Sequence, residues 1–247
     1  MSGHSRWSNI KRKKEKTDAQ KGKIFTKIGR EISVAVKQGG ADPNSNSKLK
    51  ECIAKAKSFN VPNDNIEKII KKAASGNSGD DCKSFVYEGY GPGGVAFILN
   101  ILTDNKNRAS SNIRMYFSKH GGNLGTSGCV SFMFDEKGVI VFEKENILEK
   151  NISEDEFLNA ALEAGASDFQ PEDDSFVVIT EKNDFENVKK NLINLGFDNF
   201  TSELSMIPKS YQKIEDDKTK QKVLNLIDIL EDDEDVQSVW SNYEFDD

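Results

Sequence analysis

GVIVFEKENILEKNISEDEFLNAALEAGASDFQPEDDSFVVITEKNDFENVKKNLINLGFDNFTSELSMI, residues 138–207, carries the clearest architectural pattern in this chain. Val139–Phe142 is an apolar run short enough for a buried strand. Ser153-Glu-Asp-Glu156 then has the spacing of a capping box: the Ser hydroxyl and the Glu carboxylate can each take a backbone N–H of the first turn. Phe157, Ala160, Ala161 and Ala164 follow at helical spacing, with Gly165 beyond the end. Two strands are predicted near Ser167–Phe169 and Ser175–Thr180. A second helix with Phe185, Val188, Leu192 and Leu195 on one stripe ends at Gly196, and a last strand runs through Thr201–Ile207. The succession β-α-β-β-α-β is the split arrangement of ferredoxin-like units.

Upstream, Phe85–Tyr87 and Val95–Leu102 read as strands, separated by Gly89, Gly91, Pro92, Gly93 and Gly94 in a turn. A helix from about Asn107 to Lys119, the loop Gly121–Gly125 and a strand Cys129–Phe134 complete one β-α-β unit. Downstream, a helix with Val223, Leu226, Ile227 and Leu230 inward precedes a short strand near Val236–Tyr243. A lone helix and strand cannot bury themselves, so the tail is expected to return to the unit at 82–136, with 137–205 inserted between the halves. Before all of this, residues 22–76 read as three short helices. Phe25, Ile28, Ile32 and Ala35 line the first, which Gly39–Gly40 stops. Leu49, Cys52, Ile53 and Ala56 line the second. Ile66, Ile69, Ile70 and Ala73 line the third, with Asn63 or a neighbour as its cap. Residues 1–21 hold almost no buried-type side chains besides Trp7 and Ile10 and read as an extended basic arm. The expected organisation is therefore multidomain α+β: an arm (1–21), a three-helix domain (22–76), a discontinuous α+β domain (82–136 with 206–247) and an inserted α+β domain (137–205), both of the latter ferredoxin-like.

Charge divides along the same lines. Residues 1–75 carry 18 Lys+Arg against 7 Asp+Glu, a net of +11, whereas residues 76–247 carry a net of −18, together the −7 of the whole chain. A cationic head on an anionic body points to a polyanionic partner for the head. Arg6, Lys11, Arg12, Lys13, Lys14, Lys16, Lys21, Lys23, Lys27 and Arg30 face only Glu15 and Asp18, and neutralising phosphates with such groups releases condensed counterions. Trp7 offers a ring for stacking on a base or sugar. These eleven residues are the candidate nucleic-acid contacts. The bland alternative, lysines that only solubilise a surface helix, fits a scattered face better than this concentration. A second candidate contact is the edge from Thr103-Asp-Asn-Lys-Asn-Arg108 through Arg114 and Lys119, where Asp104 or Asn105 can also simply cap the helix.

Other chemistry finds little support. Glu88–Gly94 lacks the Lys-Ser/Thr of a nucleotide-binding loop, and Pro92 removes a donor, so tight turns are the expectation there. His4 and His120 have no ligand-like neighbours, so no metal, no cofactor and no catalytic residue is expected, and the chain does not read as an enzyme. Cys52, Cys82 and Cys129 form no CxxC pair and suit a reducing cytoplasm. No run approaches the ~20 apolar residues of a membrane helix. The acidic stretch Glu231-Asp-Asp-Glu-Asp235 follows a helix, where negative charge opposes the macrodipole. A solvated turn is expected; docking to a basic protein partner, or to the chain's own cationic head, is the other reading.

Several of these segments also resemble those of a known family. Gly3-His-Ser-Arg-Trp-Ser-Asn-Ile-Lys11, Tyr87-Glu-Gly-Tyr-Gly-Pro-Gly-Gly94, Leu102-Thr-Asp-Asn-Lys-Asn-Arg108, Phe117-Ser-Lys-His-Gly-Gly-Asn-Leu-Gly125 and Leu230-Glu-Asp-Asp-Glu-Asp-Val-Gln237 are together similar to the motifs of the YebC family, in register over nearly the whole chain. Arg6, Ala109 and Trp240 stand where Lys, Thr and Tyr or Phe are usual. The resemblance implies a helical N-terminal domain followed by two α+β domains, the third inserted into the second. It also implies a cytoplasmic, nucleic-acid-binding, cofactor-free protein with no catalytic residues. Members are described as probable transcriptional regulators acting on DNA, and a related branch acts in translation, so a ribosome-associated factor that holds ribosomal RNA is the alternative function.

Overall fold

The computed structural model of the chain describes residues 18–76 and 82–245, with the side chains of 18–21 and of Ser58 left out. Contacts divide it into two compact units, one formed by 133–209 and the other by 18–132 together with 210–245. The arm residues Arg6, Trp7, Lys11, Arg12, Lys13, Lys14 and Lys16 lie outside the described residues.

Three helices open the larger unit: α1 (Asp18–Gly39), α2 (Ser47–Ser58) and α3 (Asn63–Ala74). α1 starts four residues before the helical domain was expected to begin, because Asp18–Lys21 are already helical. Ile28, Ile32, Ala35, Leu49, Cys52, Ala56, Ile66 and Ala73 are buried in one core, so the spacings read from the sequence are the faces that pack. Asn46 holds the first corner. Its Oδ1 accepts the Leu49 N–H at 3.0 Å, capping α2, and its Nδ2 donates to the Ala35 and Gly40 carbonyls, both at 2.8 Å. A Cβ on Gly39 would lie 2.7 Å from the Asn46 side chain, so the glycine that ends α1 also leaves room for this brace. Asn63 is not the cap of α3. Pro62 occupies that position without a side-chain bond, and its carbonyl accepts from Asn65 and Ile66.

The sheet of the same unit is built from β1 (Lys83–Tyr90), β2 (Ala96–Thr103), β3 (Asn123–Leu124) and a strand from the tail, in the order β3-β1-β2-tail, all antiparallel. Between β2 and β3 runs α4 (Lys106–Lys119), capped by Asn105, whose Oδ1 accepts from Arg108 N–H at 3.0 Å. Phe97, Leu99 and Ile101 of β2 face Ala109, Ile113 and Phe117 of α4 and Val223, Leu226, Ile227 and Leu230 of the tail helix. The segment Cys129–Phe134 is not a strand of this sheet. The Glu88 carboxylate accepts the backbone N–H groups of Gly128, Val130 and Ser131, each at 2.8 Å, and draws the segment into a loop ending in a single 3₁₀ turn, Ser131–Met133. Glu88 is buried, which works against its charge, yet the three donors outweigh burial and hold its carboxyl below the usual range.

The smaller unit contains β4 (Phe134–Glu143), α5 (Lys144–Leu148), α6 (Glu154–Ala164), β5 (Asp168–Pro171), β6 (Ser175–Glu181), α7 (Phe185–Asn194) and β7 (Thr201–Pro208). Its sheet runs β5-β6-β4-β7 with every pairing antiparallel, which is the split order of a ferredoxin-like unit. The capping box forms as read: Ser153 Oγ accepts the Glu156 N–H, and Glu156 Oε2 accepts the Ser153 N–H at 2.8 Å. Phe142, Phe157, Phe176 and Phe197 centre the core. The short helix α5 is an element that periodicity did not reveal.

The tail supplies β8 (Gln212–Ile214), α8 (Asp217–Asp232), β9 (Val236–Ser241) and β10 (Tyr243–Phe245). β9 is the fourth strand of the larger unit's sheet, pairing with β2, and β8 and β10 form a separate two-stranded parallel ribbon. Both four-stranded sheets carry helices over a buried face. Only the 133–209 sheet has the split order, since in the larger unit the sequential hairpin β1-β2 occupies the centre.

Candidate nucleic-acid interface

Lys23, Lys27 and Arg30 recur at i, i+4 and i+7 along α1, so they project from one side of the helix, away from the stripe Ile28, Ile32 and Ala35 that packs inward. Their surroundings decide what they can do, and those surroundings come from the far end of the chain. α8 is started by Asp216, whose Oδ1 accepts from Thr219 N–H at 2.8 Å, and it ends at Asp232 with no basic residue in its last turn. The acidic segment Glu231–Asp235 is therefore delivered at a helix C-terminus, whose free carbonyls already concentrate negative charge. Its backbone is pinned to the sheet by Leu102 N–H donating to the Asp235 carbonyl at 2.8 Å.

The cations of α1 meet this segment group by group. Lys23 Nζ lies 2.6 Å from Asp232 Oδ1, and Lys27 Nζ donates to the Glu231 carbonyl at 2.7 Å. Arg30 donates through Nη1 to the Glu234 carbonyl at 2.9 Å and to Asp235 Oδ1 at 3.1 Å, and reaches Glu234 Oε2 through Nη2 at 3.3 Å. Asp235, 4 % exposed, also accepts from a second guanidinium: Arg108 Nη2 stands 3.0 Å from Oδ2 and 3.1 Å from Oδ1. Arg108 closes the chain onto Asp104 at 2.7 Å, and these bonds, Asp235 first, raise the pKa of its guanidinium above the ordinary value. The Arg108 hydrogen bond in turn holds the Asp104 carboxyl below its usual range. Tyr116 donates its hydroxyl to Asp233 Oδ2 at 3.0 Å. Burial first, and then this bond and the neighbouring carboxylates, push the phenol up to about 12.

The acidic stretch is thus not a solvated turn. The buried carboxylate of Asp235 cannot stand alone in a low-dielectric setting, and two arginines supply the compensation. The same geometry shows that Lys23, Lys27, Arg30 and Arg108, four of the residues read as nucleic-acid contacts, already bond to acidic or carbonyl oxygens of the chain itself. Arg114 and Lys119 are exposed on α4, where neither forms an ion pair among the described residues. Lys21 lies in α1, and its side chain is outside the description.

Four cations that the sequence reading passed over are exposed on the head: Lys50 and Lys57, i and i+7 on α2, and Lys68 and Lys72, i and i+4 on α3. None of them forms an ion pair among the described residues, whereas Lys48, Lys55 and Lys71 pair with Glu51, Glu31 and Glu67. Separate helical wheels of 47–58 and 63–74 could have found these four: Lys68 falls opposite its apolar stripe, and Lys50, Lys57 and Lys72 fall on the flanks of theirs, outside the buried face.

The remaining candidates are structural. Gly91–Gly94 forms a short 3₁₀ connection in which Gly93 has φ 70°, a conformation that favours glycine. His120 follows α4, and burial lowers its pKa. Among the described residues no cluster of His, Cys, Asp and Glu could hold a metal ion, and no helix is long and apolar enough to cross a membrane.

Comparison with known proteins agrees across the whole chain. Residues 5–76 match the family described as "TACO1/YebC protein N-terminal domain", and residues 82–243 match "TACO1/YebC second and third domain". A protein of Desulforamulus reducens named "Probable transcriptional regulatory protein" is 50 % identical over 244 residues, covering 99 % of both chains. One of the same name from Acetivibrio thermocellus is 52 % identical over 243 residues, covering 98 % of this chain and 99 % of its own. The crystal structure of a conserved hypothetical protein from Aquifex aeolicus superposes with a TM-score of 0.84 at 41 % identity, covering 100 % of this chain and 96 % of the other.

Proposed function

This chain belongs to the TACO1/YebC family, and on that footing we propose that it is a transcriptional regulatory protein that grips duplex DNA through the basic arm and helical head. The observation that carries this reading is the segregation of charge: a net of +11 in residues 1–75 against −18 in the rest. Lys50, Lys57, Lys68 and Lys72, exposed and without ion pairs among the described residues, support it by leaving ammonium groups available to phosphate. The names of the relatives support the regulatory role. The head shows no recognition helix of the helix-turn-helix kind in its sequence pattern, so readout rests on the phosphate backbone and on duplex shape rather than on base edges. No catalytic step is part of the proposal.

A titration of fluorescent duplex DNA across salt concentrations tests it. Engagement of about six phosphates predicts a slope near −5 in log affinity against log salt. A flat response would refute duplex binding. Crosslinking in cells that recovered ribosomal RNA instead of DNA would move the function to translation.

A further inference from the structure

We propose that Glu231–Asp235 is a built-in phosphate mimic: its outer acids and the Glu231 carbonyl hold the cationic edge of α1 closed, and nucleic acid reaches Lys23 and Lys27 only by displacing this outer part. This inference rests on the head being the nucleic-acid-binding part. The geometry supplies the argument. A phosphodiester presents anionic oxygens in a row to Lys and Arg donors, and here Asp232, the Glu231 carbonyl, Glu234 and Asp235 present oxygens in a row to Lys23, Lys27 and Arg30, at 2.6 to 3.3 Å.

The row has two ends of different strength. At the inner end Asp235 is 4 % exposed and shared between Arg30 and Arg108, so its removal would leave two guanidinium groups facing each other. At the outer end the Asp232 and Glu234 side chains are each 60 % exposed, and the Lys23 side chain is 42 % exposed. Ion pairs at such exposure contribute little and are screened by salt. A polyanion carrying several phosphates can therefore exchange with the outer pairs while the inner one remains as the hinge. The acids sit at the C-terminus of α8, where the helix field disfavours them, so they gain from the head what their own helix lacks. A position costly for the helix alone is the arrangement expected of a segment built to be held by something cationic.

The test uses the full chain and a fluorescent DNA duplex in an anisotropy titration at low salt. Asp232→Asn/Glu234→Gln leaves Asp235 in place and should bind about five- to tenfold tighter than wild type. Asp173→Asn/Asp198→Asn removes the same charge from exposed positions of the 133–209 unit and controls for net charge. In a Lys23→Gln/Lys27→Gln background the gain should shrink to within about twofold of that control, because the Lys23 ammonium freed from Asp232, with Lys27 beside it, is what the DNA uses. A gain no larger than the control's, or one that persists undiminished in the Lys23→Gln/Lys27→Gln background, overturns the latch while leaving DNA binding intact. If no variant binds duplex, the reading beneath it fails and the latch fails with it.

Discussion

Replacing Asp235 by Asn keeps the shape of the side chain and removes only its charge, which isolates what the carboxylate contributes. In the wild-type chain it accepts from Arg30 at 3.1 Å and from Arg108 at 3.0 Å, both charge-assisted. A hydrogen bond to a charged group contributes about 1.5–3 kcal/mol, and breaking a fully buried ion pair costs about 3–5 kcal/mol. The lower range applies here. The Arg108 side chain is 46 % exposed, so water and Asp104 continue to solvate it, and Arg30 keeps Glu234. A loss of about 2 kcal/mol is expected, equivalent to a fall of roughly 4–8 °C in melting temperature for a unit of this size. Trp240 lies in β9 a few residues beyond Asp235, and the other tryptophan is Trp7, so Trp240 fluorescence in a Trp7→Phe background follows the affected unit alone. Asp232→Asn, at the exposed end of the row, should shift the same transition by less than about 2 °C. If Asp235→Asn melts within about a degree of the parent, or Asp232→Asn costs as much, the division into a structural inner pair and a labile outer pair is wrong.

Tyr116 offers a pH test. Its folded pKa of about 12 lies above the ordinary value of about 10, so its neutral form is favoured by folding. The stability it contributes is complete below pH 10 and is lost as pH rises from 10 towards 12. Absorbance at 295 nm should show a phenol titrating near 12 that is missing in Tyr116→Phe; loss of a step near 10 instead would contradict the burial argument. In the 133–209 unit, a Cβ at Gly138 would overlap the Phe185 ring and Thr180 Oγ1, both buried. Gly138→Ala should destabilise that unit by about 1–3 kcal/mol, read as faster amide exchange in β4 and β6, with the Trp240 transition unmoved. Unchanged exchange would show that the site can relax.

How much of this was legible in the sequence follows the range of the interactions involved. The Ser153–Glu156 box, the apolar faces of α1 to α3 and the strand succession of 133–209 are local patterns, and they were read with errors of a few residues. Where the reading failed, a distant or non-repeating contact decided the outcome. Residues 129–134 have a strand-like composition, but the Glu88 carboxylate, about 40 residues earlier, takes their amides into a loop. The cap of α3 was read as Asn63 or a neighbour, and it is the neighbour Pro62, which caps without a side-chain bond. The acidic segment was expected to be a solvated turn, with docking on a basic protein or on the chain's own cationic head as the other reading; it meets the head, whose Lys23 and Arg30 lie more than 200 residues away. Opposite charge at the two ends of the chain was visible, whereas the docking of one on the other depends on β9 joining β2.

Whether the head is the hand that holds a sugar-phosphate chain is answered by neutralising its arm. With Arg6, Lys11, Arg12, Lys13, Lys14 and Lys16 all changed to Gln, the slope of log affinity against log salt for duplex DNA should become shallower by about one for each arm cation engaged, and binding should weaken alike across sequences. A variant that binds with the wild-type slope and affinity would contradict it.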